Sequence, residues 1–507
     1  MSLKHFAEWK PDTPDVGEDV IVAMGVVPHT EEDYGPFAAL ATFSTALDHI
    51  CQGAQAFIDS SSNVRIFAGT SDKLYLFGGT VPADVSQSGG YSIGTTSTWK
   101  FSQVSTSLTD LIIAAGDPNT NIQSYDLNSS ALFADLSAGA PRARAMALVY
   151  PSFLVVGNTW DGVDGFVSNR VWWPDANDVT NWPTPGSSSA QAVQSDFRDL
   201  VIGGAVQAIT GPIGGNAAGM VISSTATHRI VYAGPPAVLD FFPISQSIGT
   251  NAPNSVISVL DFVFWWSNSG FYMSDGATLK PIGARKVDQY MATRVDNANL
   301  NRVVAGADPI LKMVYWAVPD GSNSNGNPSF VIGYNWELGW WSLPLDATNV
   351  ETIFPSYAVG QTLDDLTTTY GVLDNVPFAL GSPVFLGGRP VLGGFDSTHK
   401  YGAFNGASVA ASVYTGELMG DNSQRVIIQG IRPYVNCTQS AITAYGGYRD
   451  TPVAARSFTT GTSPNSSGIC PQRRSARYML VRVDIAAGAN FTHAAGVEVI
   501  AKGEGLR

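Results

Sequence analysis

An apolar strand, a turn of Gly, Asn or Asp, and a second strand ending in aromatics recur seven times along this 507-residue chain. The copies are Arg65–Phe77, Leu111–Leu127, Leu154–Trp173, Gly219–Gly234, Asp261–Gly276, Lys312–Trp341 and Pro383–Phe404. Their starts are 46, 43, 65, 42, 51 and 71 residues apart. A hairpin cannot bury its apolar face alone, so such copies must pack in series. Recurrence at roughly 40–50 residues with occasional insertions is the signature of a β-propeller. Six or seven blades fit the spacing, because strands from both ends of a repeat region can share the last blade.

Composition supports strands over helices. Charged residues make up only 14%, aromatics reach 11%, and Gly occurs 52 times. Gly supplies tight turns, and aromatic and β-branched residues suit pleated surfaces. The best helical patterns are short, Phe37–Gln55 and Val287–Leu300. The longest apolar run, Met146–Gly157, contains Pro151 and falls short of the roughly 20 residues a membrane span needs. The start, MSLKHFAEWKPDTPD, has no continuous apolar stretch of the signal-peptide kind, so folding in a cytoplasm is expected. Three cysteines, Cys51, Cys437 and Cys470, are widely spaced and lack a Cys-x-x-Cys pair, which argues against a disulfide framework or a structural zinc site.

The patterning divides the chain into three. Residues 1–60 are acidic and punctuated by Pro11, Pro14, Pro28 and Pro36, which predicts an extended arm with one short helix. Residues 61–406 carry the repeat. In residues 407–507 the segments Ala407–Glu417, Gln424–Val435, Ala441–Tyr448, Tyr478–Ile485 and Gly496–Ala501 alternate apolar and polar residues, which predicts an antiparallel β-sandwich-like domain. The fold class is therefore all-β: a propeller of six or seven blades with a C-terminal β domain and an N-terminal arm. Charge is split along the same line. Residues 407–507 hold ten Lys/Arg against six Asp/Glu, and residues 1–406 hold 18 against 36. An acidic body cannot bind duplex DNA by releasing counterions.

Local motifs for catalysis are missing. The six histidines, His5, His29, His49, His228, His399 and His493, show no metal-ligand spacing, and no metal or cofactor is expected. Gly214–Gly219 has the glycines of a phosphate loop but no Lys, and reads as a turn. Asp117, Asn119 and Asn121 alternate like a calcium loop, but Ile122 and Asn128 stand where that loop needs Gly and Glu. The dense carboxylates, Asp161 with Asp164, Asp175 with Asp178, and Asp364 with Asp365, lie in Gly- or Asn-rich turns, where Asp caps the backbone. The doublets Trp172–Trp173, Trp265–Trp266 and Trp340–Trp341 should send one ring to each side of a strand. Arg473, Arg474, Arg477 and Arg482 form one basic cluster, suited to docking on an acidic neighbour during assembly.

The phrase Asn169–Trp182 (NRVWWPDANDVTNW), following LVVGNTWDG, resembles a blade of the tail hub or nozzle proteins of short-tailed bacteriophages. That family includes the packaged-DNA stabilisation proteins. Asp261–Gly276 (DFVFWWSNSGFYMSDG) and Arg477–Arg507 resemble it too. The resemblance implies a virion structural protein without enzymatic activity. It implies a hexameric ring on the portal–adaptor complex that retains packaged DNA and conducts the duplex at ejection without sequence-specific binding. A carbohydrate-binding or glycan-cleaving propeller at a phage or cell surface is the alternative.

Overall fold

The computed structural model describes residues 3–505 apart from 62, 106–108, 151, 216, 323–325, 359–387 and 420–424. Among them, seven blades of four antiparallel strands form a ring. The first blade comprises Ala54–Ile58, Val64–Gly69, Leu74–Phe77 and Pro82–Asp84, and the second Lys100–Ser105, Asp110–Ala115, Gln123–Asp126 and Ala134–Asp135. The third runs from Arg142–Val149 to Asp196–Asp199, the fourth from Val206–Thr210 to Val238–Ser245, and the fifth from Ile257–Val259 to Leu279–Pro281. The sixth runs from Val304–Asp308 to Trp340–Leu345. The seven hairpins recognised in the sequence are the second and third strands of the seven blades. Pro383, where the last copy starts, lies outside the described residues, as do Asp364 and Asp365.

The seventh blade takes Val350–Tyr357, Pro390–Asp396 and Lys400–Ser408 from late in the repeat, and its outer strand, Ala38–Ala46, from near the N-terminus. Ala403 faces Ala41 and Phe404 faces Leu40 across this seam. The helix expected over Phe37–Gln55 is thus a strand. Its small apolar residues fit either period, and pairing to a partner some 360 residues away decides the outcome. The approach is close: a Cβ on Gly402 would lie 2.4 Å from the Ala41 carbonyl oxygen. The helix expected near Val287–Leu300 does form, over Asp288–Arg294, followed by a 3₁₀ turn at Leu300–Arg302.

Each gap between consecutive blades holds its own apolar core. Phe67, Trp99 and Phe101 fill the first gap, and Phe77, Phe395 and Tyr401 fill the one that closes the ring. Two of the three Trp doublets show how one sheet serves two gaps, whereas Trp340 and Trp341 both pack on the core shared with the platform strands. Trp172 packs toward the second blade and Trp173 toward the fourth. Trp265 likewise faces the fourth blade and Trp266 the sixth. Adjacent strand residues point to opposite faces, and both faces of a blade are interior.

The remaining strands build a two-sheet platform. One sheet orders Val26–Thr30, Asp33–Pro36, Ala494–Gly505, Arg425–Val435 and Cys470–Ala476, with Leu3–His5 against Ala494–Gly505. The other places Val22–Met24 beside Ala411–Tyr414, followed by Tyr478–Ile485 and Ile442–Arg449. The N-terminal residues therefore supply strands to their own chain's C-terminal domain. Met24 also pairs in parallel with Leu343 of the sixth blade. Gly25 carries the chain from one platform sheet to the other at φ +72°, donating its amide to the Leu343 carbonyl, with no room for a Cβ beside Ala410. One continuous core joins Phe271, Trp316 and Trp341 of the propeller to Phe6, Trp9, Ile431 and Val483 of the platform. Glu417, with its side chain 1% exposed, accepts from Arg449 (2.7 Å) and Arg456 (2.9 Å), and Arg456 also reaches Asp15 at 2.8 Å.

Two substitutions test this architecture. Gly402→Val should push the closing strand outward, costing about 1–3 kcal/mol as an overpacked core position does. Limited proteolysis should then cut near residues 38–50 in the variant and spare the wild type. Glu417→Ala should strip two part-buried guanidinium groups of their buried carboxylate, leaving them only the more exposed Asp15 as a carboxylate partner, and cost about 3–5 kcal/mol, read as a lowered urea midpoint.

Candidate functional site

The first strands of all seven blades surround an axial cavity of about 310 Å³. Its wall is mostly small or polar: Ala54, Ser102, Ala145, Ala147, Ala208 and Ala305 contribute. At one mouth the 3₁₀ turn Pro253–Ser255, just before the fifth blade, reaches across. Asn254 donates through Nδ2 to Thr98 Oγ1 (2.8 Å) and to the Asn301 carbonyl (2.5 Å). Its Oδ1 accepts from Lys100 Nζ at 2.7 Å. Thr98 and Lys100 belong to the second blade and Asn301 leads into the sixth, so one side chain ties three parts of the ring across its axis.

Lys100 sits in this polar plug, where among the described residues it donates to the neutral Asn254 amide and pairs with no carboxylate. Burial, and the nearby Arg144 guanidinium, lower its ammonium to about 8. Next to the plug lies a smaller pocket with Cys51, Arg302 and Glu351. Burial pushes the Cys51 thiol up to about 12, so it is not a thiolate nucleophile near neutral pH. Burial raises the Glu351 carboxyl, and His399 contacts its Oε1 at 2.8 Å.

A second cavity of about 300 Å³ opens where the second and third blades meet. It is lined by Asp117, Asn119, Arg144, Asn158, Trp160 and Phe166. Arg142 covers one face of Trp160, 4.4 Å from the ring centroid, while Phe166 is 57% exposed. Asp117 is used structurally, accepting from the amides of Asn119 and Gly94 and from Ser97 Oγ.

The carboxylates singled out in the sequence cap turns. Asp161 accepts from the amides of Val163 and Asp164, Asp175 from Asn177, and Asp178 from Thr180. Asp161 and Asp164 also join Asp199 around Arg170, a side chain only 6% exposed that stacks on Phe197 at 3.8 Å. Sequence reading missed Asp288. Burial raises its carboxyl to about 6, and it accepts from the Phe271 amide. Asp12 nearby caps the first turn of the Asp288–Arg294 helix by accepting from the amides of Gln289 and Tyr290.

The four arginines of the basic cluster separate. Arg482 forms a bidentate pair with Asp484 (2.8 and 2.6 Å) amid the rings of Tyr414, Tyr445 and Phe458. Arg474 lies 4.0 Å over Tyr448. Arg473, on the edge strand Cys470–Ala476, and Arg477 just beyond it are exposed.

No family model matches the chain, and no curated protein matches it. Among solved structures it is similar to YCF48 bound to a D1 peptide, with 13% identity over 65% of this chain and 91% of that one, at a TM-score of 0.34. It is also similar to a puromycin-hydrolysing peptidase of Mycobacterium tuberculosis, with 9% identity over 82% and 61% of the two chains (TM-score 0.36). A glycoside hydrolase matches at 8% identity over 90% and 99% (TM-score 0.24). The propeller assignment rests on this chain's own ring of sheets.

Lys100 makes the plug sensitive to pH. Below about pH 8 the folded and unfolded chains both carry its proton, and the penalty of burying the ammonium is fully present. Between about 8 and its ordinary 10.5 the unfolded chain holds more protons, so the stability linked to Lys100 rises with pH. The stability difference between Lys100→Met and wild type should therefore shift in favour of wild type from pH 7 to 10.5 in urea unfolding. A constant difference would remove this account of the plug.

Proposed function

We propose that the chain is a structural subunit of the tail hub or nozzle of a short-tailed phage. Six copies form a ring on the portal–adaptor complex, retain packaged DNA and conduct it at ejection, with no catalytic step. The observation that carries this reading is the two-part subunit. A propeller is fused through a continuous core to a platform woven from both ends of the chain. Such a subunit can present its platform to a neighbour and hold its blades in a fixed orientation. The axial cavity, at about 310 Å³ and crossed by Asn254, is too small for B-DNA, whose major groove alone is about 12 Å wide. In this proposal DNA therefore passes between copies, along acidic outer surfaces that do not bind phosphate. Arg473, Arg474 and Arg477 serve as docking residues at the platform edge. Arg482 supports that face through its aromatic neighbours.

The cavity with Trp160 and Phe166 favours a second reading, a glycan-binding propeller, because sugars stack on aromatic faces beside polar side chains. Sedimentation and negative-stain imaging separate the two. The hub reading expects closed six-fold rings, and joint replacement of Arg473, Arg474 and Arg477 by Ala should shift them toward monomers. A persistent monomer whose glycan binding disappears in Trp160→Ala would replace the hub with the second reading.

A further inference from the structure

His29, Asp33 and His493 bring three ligand atoms to within 4.8 Å of one another. The backbone builds this meeting point. Val26–Thr30 and Asp33–Pro36 form a hairpin whose register slips between Pro28 and Thr30, the kind of irregularity that re-aims a side chain. Tyr34 then pairs with Ala494, which sets Asp33 beside His493. Asn436 Oδ1 fixes the approach by accepting from the amides of Thr492 (2.9 Å) and His493 (2.8 Å).

Both imidazoles turn Nδ1 toward the same carboxylate. His29 Nδ1 lies 3.3 Å from Asp33 Oδ1, and His493 Nδ1 contacts Asp33 Oδ2. The rings meet edge to face, with centroids 5.0 Å apart. Thr30 Oγ1 donates to Asp33 Oδ1 at 2.6 Å, an outer partner of the kind that orients ligating carboxylates. The Asp33 side chain is 9% exposed, while those of His29 and His493 are 45% and 48% exposed. An ion thus has a buried anchor and an open approach from water.

We propose that these residues bind one divalent transition-metal ion, with zinc the best match, and that the ion clamps the N-terminal hairpin to the C-terminal strand. Two ligands at about 2.0–2.1 Å from a tetrahedral ion stand about 3.3 Å apart, so the His29–Asp33 spacing needs little change. Two imidazole nitrogens and one carboxylate oxygen suit zinc and leave a position for water. On binding, each ring gives up its Nδ1 proton and keeps the Nε2–H tautomer. A hydrogen-bonded trio without metal is the competing account. The site is independent of the hub proposal, because either function would leave these residues where they are.

The test is titration of the purified full-length chain with Zn²⁺ by calorimetry and with Co²⁺ by visible absorption. One Zn²⁺ per chain is expected, with Co²⁺ d–d bands of a four- or five-coordinate site and a thermal midpoint that rises with Zn²⁺ concentration. His29→Ala and His493→Ala should each weaken Zn²⁺ binding at least tenfold. Far-UV circular dichroism should be unchanged, since both rings are half exposed. Asp33→Asn should weaken it as well. His49→Ala, at the more exposed cluster with Asp48 and Asp72, should leave the stoichiometry intact. Absence of saturable binding, binding unaltered in both His29→Ala and His493→Ala, or loss of the ion only in His49→Ala would overturn the site.

Discussion

The fold depends on the filling of the gaps between blades. Each sheet is apolar on both faces, and each face meets a different neighbour, so no blade completes its core alone. Seven interior gaps follow from seven sheets only if the first and last also meet. Phe77 of the first blade lies 5.8 Å from Phe395 and 5.5 Å from Tyr401 of the seventh, centroid to centroid. The pairing of Ala38–Ala46 with Lys400–Ser408 holds that meeting in register.

The platform extends the same logic. The gap between the fifth and sixth blades continues into the two-sheet domain, so the propeller and platform share a core where two separate domains would each have their own. The buried Glu417–Arg449–Arg456 group then anchors the loop around Asp15 to the same domain. At the opposite extreme of polarity, Asn254 ties the second blade to the segment leading into the sixth at one mouth of the axial cavity. The ring is thus closed at its rim by the Ala38–Ala46 seam and crossed at its centre by Asn254.

Much of this was legible in the sequence, for a physical reason. The second strand of each blade is largely buried, and reads as an apolar run leading into a turn. First strands such as Ala54–Ile58 line the axial cavity with small residues and carry little pattern. Outer strands such as Ala134–Asp135 are two to four residues long in several blades. Ala38–Ala46 looked helical because only a distant partner makes it a strand. The C-terminal strands alternated clearly, and Tyr478–Ile485 has the expected bounds. The N-terminal contributions to that domain were hidden by Pro and Gly. The candidate sites were less legible still. Asn254, Lys100 and Asn301 belong to no motif, and His493 lies 460 residues from Asp33. The turn-capping role of the Asp clusters was readable, because it depends only on nearby amides.

The seam at Ala38–Ala46 also sets a schedule for synthesis. The strand leaves the ribosome early, but its partner, Lys400–Ser408, follows only after about 350 further residues. At roughly 5–20 residues per second the early segment waits tens of seconds with its edge groups unpaired. Through that interval the growing chain is an open arc, and its two unfinished edges are the surfaces a second nascent copy could seize.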